Sequence, residues 1–333
     1  QKTEKIYQET TPGVVCWQEK RPIEKVGLYI PGGTAPLLST VLMLAIPAKI
    51  AGCQEIILCS PPNFEGKIAN EILYTANLCG VTNIFKVGGI QAISGLTFGT
   101  TTIPKVYKIF GPGNQFVTVA KQLATKYGVA IDMPAGPSEL LIMADDSANA
   151  SFVASDLLSQ AEHGADSQVI LVSTSEKLIE DVSKEVAKQL KELPRIEIAT
   201  KAIQNSKSIL VKNLKEALAL INEYAPEHFI VCTNNNDFFI DGILNAGSVF
   251  IGNYTPESAG DYASGTNHTL PTNGYSKSYS GVNLDSFTKS ITFQEISKKG
   301  IQNIGKSIEL MALAEGLQAH KNAVSIRIKE INS

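Results

Sequence analysis

The stretch Val106-Tyr-Lys-Ile-Phe-Gly-Pro-Gly-Asn114 decides the fold class, because an apolar run rich in strand-forming residues ends there in a glycine-rich turn. Helical spacing follows from about residue 116 to residue 127. The same order of strand, turn and helix recurs along the chain. Strands that alternate with helices in this way predict βαβ units and a mostly parallel sheet.

The alternation falls into two groups that meet near residues 134–138. We therefore predict an α/β fold with two incomplete Rossmann-like α/β/α domains, residues 1–137 and 138–285, each with a mostly parallel sheet. Long helical patterns from about residue 294 predict a C-terminal helical tail, residues 286–333. The predicted strands are 26–30, 55–59, 83–87, 106–110, 139–143, 168–172, 208–211 and 228–232, and the predicted helices end at 49 or span 65–78, 116–127, 147–163, 176–193 and 213–224.

Composition excludes several classes of protein. The 333 residues are 44% hydrophobic and 18% charged, with a net charge of −3, which indicates a soluble globular protein without a nucleic-acid footprint. The longest apolar stretch, residues 37–50, is interrupted by polar residues and a proline, so it does not predict a membrane span. Five cysteines without a CxxC pair indicate reduced thiols in the cytoplasm.

The chain contains four histidines, His163, His228, His268 and His320, and each lies near a carboxylate or an amide in sequence. Imidazole is suited both to metal ligation and to proton transfer near neutral pH. Gln160 lies three residues before His163 at the predicted end of a helix, so both side chains point from one face. This spacing suits two ligands of one metal, although such a pair is a weak signal.

The remaining polar candidates leave alternatives open. Glu227 next to His228 is either a proton-transfer pair or a surface glutamate beside a half-buried histidine. Asp261 lies in a Gly- and Ser-rich segment, residues 247–283, that we interpret as a long functional loop, and its carboxylate suits zinc. Glu315 and His320 are about 140° apart on a helix, which favours a helix end or an interface there.

Three glycine-rich turns end strands of the first group: 29–33, 87–91 and 111–114. In an open α/β sheet such turns share the carboxyl edge, where ligands bind, and the helix start after residue 114 offers free N–H groups to an anion. The chain has no GxGxxG fingerprint, so plain turns remain an alternative interpretation.

Eight longer motifs resemble the histidinol dehydrogenase family over nearly the whole chain. They are Val-Gly-Leu-Tyr-Ile-Pro-Gly-Gly-Thr-Ala-Pro-Leu (26–37), Val-Gly-Gly-Ile-Gln-Ala-Ile (87–93), Phe-Gly-Pro-Gly-Asn (110–114), Asp-Met-Pro-Ala-Gly-Pro-Ser-Glu (132–139), Asp-Leu-Leu-Ser-Gln-Ala-Glu-His-Gly (156–164), Ala-Pro-Glu-His (225–228), Gly-Asp-Tyr-Ala-Ser-Gly-Thr-Asn-His-Thr-Leu-Pro-Thr (260–272) and Ala-Glu-Gly-Leu-Gln-Ala-His (314–320).

The resemblance implies a four-electron oxidation of L-histidinol through L-histidinal to L-histidine with two NAD⁺ and one Zn²⁺ per subunit, the last steps of histidine biosynthesis. It implies that the first domain binds NAD⁺ and that the second binds substrate and zinc. Family members usually carry a further N-terminal segment, which this sequence, opening on Gln1, lacks.

The resemblance also assigns the candidate residues to roles. The catalytic pair is Glu227 and His228, with His228 taking the alcohol proton and Glu227 activating water. The zinc ligands are Gln160, His163, Asp261 and His320, the last from the partner subunit of a homodimer with shared active sites on which the tail packs. Substrate contacts are Ser138, Gln160, His163, Glu227, His228, Asp261, His268, Glu315 and His320; nucleotide contacts are Tyr29, Gln91 and Asn114.

Three other functions compete with this one. A relative with the same machinery could act on another alcohol, such as a sulfonated diol. A binding-only protein could hold zinc or nucleotide without turnover. A zinc hydrolase would use metal-bound water as its nucleophile, but it would leave the three glycine-rich turns unexplained.

Overall fold

The structure, a computed structural model, describes residues 1, 5–32 and 36–333. Gly33, in the first predicted turn, lies outside the described residues. Two compact units are present: Ile23–Phe287 forms one, and Gln1–Pro22 together with Thr288–Ser333 forms the other. The predicted domain limits at residues 137 and 285 stay predictions.

The elements follow one another with few long connections. In chain order they are β1 (Tyr7–Thr11), β2 (Val14–Pro22), β3 (Lys25–Tyr29), α1 (Leu38–Ala51), β4 (Glu55–Ser60), α2 (Asn70–Leu78), β5 (Asn83–Lys86), α3 (Gly89–Phe98), β6 (Lys108–Phe110), α4 (Gln115–Ala124), β7 (Ala130–Ile131), β8 (Glu139–Ala144), α5 (Ala150–Ala161), β9 (Gln168–Ser173), α6 (Glu176–Gln189), α7 (Ile196–Asn205), β10 (Lys207–Leu210), α8 (Leu214–Tyr224), β11 (His228–Cys232), α9 (Asn236–Gly242), β12 (Ser248–Ile251), α10 (Glu257–Tyr262), β13 (Thr288–Ile296), α11 (Lys298–Ala314) and α12 (Gln318–Asn332). Short 3₁₀ helices span Thr125–Tyr127, Leu190–Glu192, Tyr275–Lys277 and Leu284–Phe287.

The larger unit contains two parallel sheets, which confirms the predicted α/β class. One sheet has the order β5-β4-β3-β6-β7 and is called the first sheet below; the other, β10-β9-β8-β11-β12, is called the second sheet. In both, the strand order reverses direction next to an early strand, and ligands of open α/β sheets bind at such a switch point.

Helices cover both faces of each sheet because side chains alternate along a strand. On β3, Val26 and Leu28 are buried with residues of α1 and α2, whereas Tyr29 packs with α3 and α4 on the other face. On β8, Leu140 and Ile142 pack against α5 to α7, and Leu141 packs against α8 and α9. The two α/β/α layerings match the sequence prediction.

The smaller unit was missed in part by the sequence analysis. Strands β1, β2 and β13 form an antiparallel sheet in which Trp17 stacks on Phe293 at a centroid distance of 5.3 Å. The prediction of helix from about residue 294 was therefore wrong at its start, since β13 extends to Ile296 and α11 begins at Lys298. The partner strand lies far away in sequence, so no local pattern announced the pairing.

The other differences from the prediction concern short helices and strands. The segment 247–283 is not one loop, because it contains β12 and the short helix α10. Helices α3, α7 and α9 and strand β7 were also missed; each is short. Along the described stretches, no helix has the length and apolar character needed to cross a membrane.

Candidate active site

The neighbouring parallel strands β8 and β11 bring a group of acidic side chains and one histidine to the amino ends of the strands of the second sheet. His228 pairs in register with Leu140, so Glu139 lies beside Glu227 and His228. Glu227 is 6% exposed and His228 is 4% exposed. The alternative of a surface glutamate beside a half-buried histidine is therefore wrong.

The backbone of Glu139 holds both members of this pair. Its N–H donates to Glu227 Oε2 at 2.8 Å, and its carbonyl oxygen lies 3.1 Å from His228 Nδ1. A carbonyl can only accept, so Nδ1 carries the proton and Nε2 carries the lone pair. Nε2 is buried without a hydrogen-bond partner among the described residues. The imidazole thus presents a free proton acceptor.

Burial sets the charge states of this pair. It lowers the pKa of His228 to about 4, which keeps the imidazole neutral. Burial, with nearby carboxylates adding to it, raises the pKa of Glu227 well above its ordinary value. Burial also raises the pKa of the Glu139 carboxyl to about 7, although an N–H bond from Asn273 opposes the shift.

A candidate metal centre lies next to the pair. His163, Glu257 and Asp261 offer one ligand atom each, and these atoms lie within 4.8 Å of one another. His163 follows α5, while Glu257 and Asp261 are four apart on α10 and so share a face of that helix. His163 and Asp261 were predicted from the sequence, but Glu257 was not, since its only signal was this spacing in a segment interpreted as loop.

Gln160, on α5, is fully buried beside this cluster. In the orientation that its neighbours require, its amide nitrogen donates to both oxygens of Glu257, 2.9 Å from Oε2, and its oxygen accepts the Glu139 N–H at 3.1 Å. Gln160 therefore links the metal cluster to Glu139. Its role as a ligand stays a prediction.

The donor set of the cluster fits zinc. One imidazole nitrogen and two carboxylates are ligands that Zn²⁺ takes in proteins. In the part of the chain that the structure describes, Glu227, Glu257 and Asp261 form no ion pair with lysine or arginine. Burial raises the pKa of Glu257 and of Asp261, so a divalent cation would restore their ionised forms.

The segment after α10 carries the third histidine back to this cluster. His268 Nδ1 lies 3.3 Å from the Asp261 carbonyl oxygen and 3.7 Å from Asp261 Oδ1, and its Nε2 lies 3.5 Å from Thr40 Oγ1. The Asn267 amide donates to the Met43 carbonyl oxygen at 2.7 Å, which ties this segment to α1.

A cavity joins the two sheets inside the larger unit. Ser138, Glu227 and His268 line it from the second sheet and its loops, and Gly111 and Asp132 line it from the first sheet. The structure thus brings three predicted substrate contacts to the same space as the turn at residues 111–114. Which of them bind substrate stays a prediction.

The predicted nucleotide contacts all lie at the carboxyl edge of the first sheet. Tyr29 ends β3, and its hydroxyl accepts the Gly89 N–H at 3.2 Å; its side chain is only 4% exposed. Gln91, in the first turn of α3, and Asn114, before α4, are exposed. Asn114 Oδ1 caps α4 by accepting two backbone N–H groups at 3.1 Å. Exposed polar groups at this edge fit a nucleotide.

Glu315 and His320 lie in the smaller unit, where Glu315 ends α11 and His320 belongs to the first turn of α12. Both are exposed. The expectation of a helix end at this point is confirmed, because Gly316 at φ +72° separates the two helices. Their roles as metal ligand and substrate contact stay predictions.

Comparisons with known proteins agree on one family. The model of the histidinol dehydrogenase family matches residues 1–328. The chain is 64% identical over 323 residues to histidinol dehydrogenase of Bacteroides thetaiotaomicron, covering 97% of this chain and 76% of that relative. It is 56% identical over 332 residues to the Haemophilus influenzae enzyme, covering 100% and 77%. The crystal structure of histidinol dehydrogenase from Elizabethkingia anophelis superposes with a TM-score of 0.98 at 62% identity, covering 100% of this chain and 77% of that one.

Proposed function

The chain belongs to the histidinol dehydrogenase family, and on that premise we propose how its own residues oxidise L-histidinol. The reaction is the NAD-dependent, four-electron conversion of L-histidinol through L-histidinal to L-histidine, with two NAD⁺ consumed. The site must therefore remove a hydroxyl proton, admit water to an aldehyde and retain that aldehyde between the two steps.

His163 and Asp261 would hold the zinc ion, with Gln160 and Glu257 beside them. The short distances between the donor atoms support this assignment, and so does the burial of Gln160, Glu257 and Asp261 beside the exposed His163. When bound, zinc anchors the nitrogen atoms of the substrate and neutralises the clustered carboxylates. Ser138 and His268 then face the same cavity as substrate contacts.

His228 acts as the base for the alcohol proton. Its Nδ1–H is fixed on the Glu139 carbonyl, so Nε2 is the atom that receives the proton. Hydride leaves a carbinol carbon more readily as its hydroxyl loses the proton, and NAD⁺ supplies the hydride acceptor. The buried, neutral imidazole with its unpartnered Nε2 is the single observation that carries the proposal.

Glu227 acts on the aldehyde stage by activating a water molecule. Burial raises the pKa of this carboxyl, and the positive charge of zinc bound beside it would favour the ionised form, in which it can accept a proton from water. The Glu139 N–H holds one of its oxygens at 2.8 Å and leaves the other for water. Two adjacent bases thus serve the two oxidations in turn.

The test is an assay of the purified protein with L-histidinol, NAD⁺ and Zn²⁺. We expect two NADH per L-histidinol consumed, and loss of the activity with a chelator. His228→Asn should lower turnover about 100- to 10,000-fold while the protein keeps its zinc, measured by atomic absorption. NADH formed from a different alcohol but not from L-histidinol would overturn the substrate assignment, and metal loss in His228→Asn would overturn the division of roles.

A homodimer with shared active sites belongs to the same proposal. Glu315 and His320 lie on an exposed turn between two helices, from which they could complete the site of a second copy of the chain. His163→Asn and His320→Asn should each be inactive, and mixing the two should restore activity, because one site of each mixed dimer keeps both histidines. Mixed protein that exchanges subunits but stays inactive would contradict shared active sites.

A cytoplasmic location fits the five free cysteines.

A further inference from the structure

A buried ion pair lies behind the turn at residues 111–114. The side chains of Lys121 and Asp132 are 3% and 1% exposed, and Lys121 Nζ lies 2.5 Å from Asp132 Oδ1. Lys121 belongs to α4, and Asp132 follows β7. Neither residue entered the proposed mechanism.

Both charged groups also bind the backbone of one residue, Gly111. Asp132 Oδ2 accepts the Gly111 N–H at 2.7 Å, and Lys121 Nζ donates to the Gly111 carbonyl oxygen at 2.7 Å. Asp132 Oδ1 accepts the N–H of Met133, also at 2.7 Å. The pair therefore fixes the two polar atoms of the peptide groups at the start of the turn.

Gly111 has no freedom to be replaced or to shift. Its φ is +123°, and a Cβ atom there would lie 2.0 Å from the Tyr29 carbonyl oxygen. The turn passes directly over the end of β3 at this point. A displacement of Gly111 would move Asn114, three residues further on, and with it the start of α4.

The energetics of a buried pair argue for a role in placement. Removing two charges from water costs about as much as their attraction returns, so a well-packed apolar pair would serve stability equally well. An apolar pair could not make the three hydrogen bonds to the backbone: the N–H groups of Gly111 and Met133 need an acceptor, and the Gly111 carbonyl needs a donor. The charged pair therefore contributes a fixed backbone position that an apolar pair would not.

The pair also faces the catalytic cavity. Gly111, Lys121 and Asp132 line the same cavity as Glu227 and His268. Lys121 and Asp132 fix the position of Gly111, and they therefore help to set the distance between the turn at 111–114 and the Glu227 carboxyl. Misplacement by about 1 Å is enough to cost a large factor in a reaction that depends on orientation.

We propose that Lys121 and Asp132 are positioning residues that hold the turn at 111–114 in the geometry that binds the dinucleotide. The proposal rests on the proposed function, in which this turn contacts NAD⁺ through Asn114. The pair acts through Gly111 and is not part of the metal cluster of His163, Glu257 and Asp261.

The test uses the zinc-loaded protein and measures the Kd of NADH by its fluorescence, with no turnover. Lys121→Met combined with Asp132→Asn should raise this Kd about tenfold, because both polar atoms of Gly111 lose part of their partners. In steady state the KM for NAD⁺ should rise by a similar factor, with kcat changing less than the KM and the zinc content unchanged. Asp132→Glu alone, which keeps the charge pair but displaces the carboxylate from the Gly111 N–H, gives the same readout should the double variant fold poorly.

A matched pair in the same sheet serves as the control. Lys25 and Glu55 start β3 and β4, at the amino edge of the first sheet and so away from the turn at 111–114. They form a partly exposed ion pair of 2.7 Å. Lys25→Met combined with Glu55→Gln should leave the Kd of NADH unchanged. A wild-type Kd in the folded double variant, or in folded Asp132→Glu, would overturn the positioning role. Asn114→Ala separates the two proposals. If this variant leaves NADH affinity unchanged while the double variant of Lys121 and Asp132 lowers it, the assigned contact of Asn114 is contradicted and the positioning role stands.

Discussion

At the carboxyl edge of the first sheet, the buried carboxylate of Asp132 meets the Lys121 ammonium 2.5 Å away. At the edge of the second sheet, Glu227, Glu257 and Asp261 are also buried, yet no lysine or arginine among the described residues pairs with them. The first sheet completes its charge balance within the fold. The second leaves positive charge to be supplied by a ligand, and this is the property of a site that binds a cation.

The difference also separates rigid from responsive parts of the molecule. A carboxylate paired with an internal ammonium holds the backbone near it, as Asp132 holds Gly111. Carboxyls without such a partner have raised pKa values and change their charge when a metal or a proton arrives. Catalytic chemistry belongs with the responsive group and orientation with the rigid one.

The largest expected effect comes from breaking the internal pair on one side only. Lys121→Met leaves the Asp132 carboxylate buried without its cation, which should lower the free energy of unfolding by about 3–5 kcal/mol. Urea denaturation with the zinc-loaded protein measures it. Lys25→Met, at a partly exposed pair, should cost much less, because solvent screens that pair. Equal losses in the two variants would contradict the contrast between buried and exposed pairs.

An effect of similar direction but smaller size is expected when zinc is removed from the second sheet. A chelator should lower the free energy of unfolding by about 3 kcal/mol relative to protein kept at a zinc concentration a hundredfold above its Kd. Asp261→Asn should lose most of this response. Lys121→Met should keep the full response to zinc, since Lys121 belongs to the first sheet and the metal cluster to the second. A free energy of unfolding that does not change when zinc is removed would show that these carboxylates are not zinc ligands.

The smallest effect concerns Asp156, a half-buried acid on α5. Burial raises the pKa of its carboxyl from 3.8 to about 7. Between these values only the folded chain holds the proton, so its contribution to stability is complete below the lower value and is lost as pH rises towards the upper one. Asp156→Asn, which stays neutral, should therefore be more stable than the parent at pH 8 by about 1–2 kcal/mol.

At pH 4 the two chains should differ little, because the parent carboxyl is protonated in the folded state and close to its ordinary pKa of 3.8 in the unfolded state. Thermal unfolding across this range, with chelator present throughout, measures the difference. A gain that is the same at pH 4 and pH 8 would point to packing and not to ionisation.

Sequence patterns predicted the two parallel sheets because their strands are short apolar runs that alternate with amphipathic helices. The same patterns missed the antiparallel sheet of β1, β2 and β13, in which β2 and β13 pair across more than 250 residues of sequence and β1 and β2 form a local hairpin whose exposed strands carry a weak pattern. They also missed α10, since its Gly and Ser content has low helix propensity and only tertiary contacts hold it. Glu257 was lost with that helix.

The sequence by itself determined the α/β class, the glycine-rich turns at one sheet edge and, through the resemblance, the family. Those features are local or are written as contiguous motifs. Only the tertiary structure decided that the Glu139 backbone fixes the His228 tautomer, that Glu257 joins His163 and Asp261, and that Lys121 and Asp132 hold Gly111. Each of these depends on distances between residues far apart in the chain, and on burial, which sets the charge that a side chain carries.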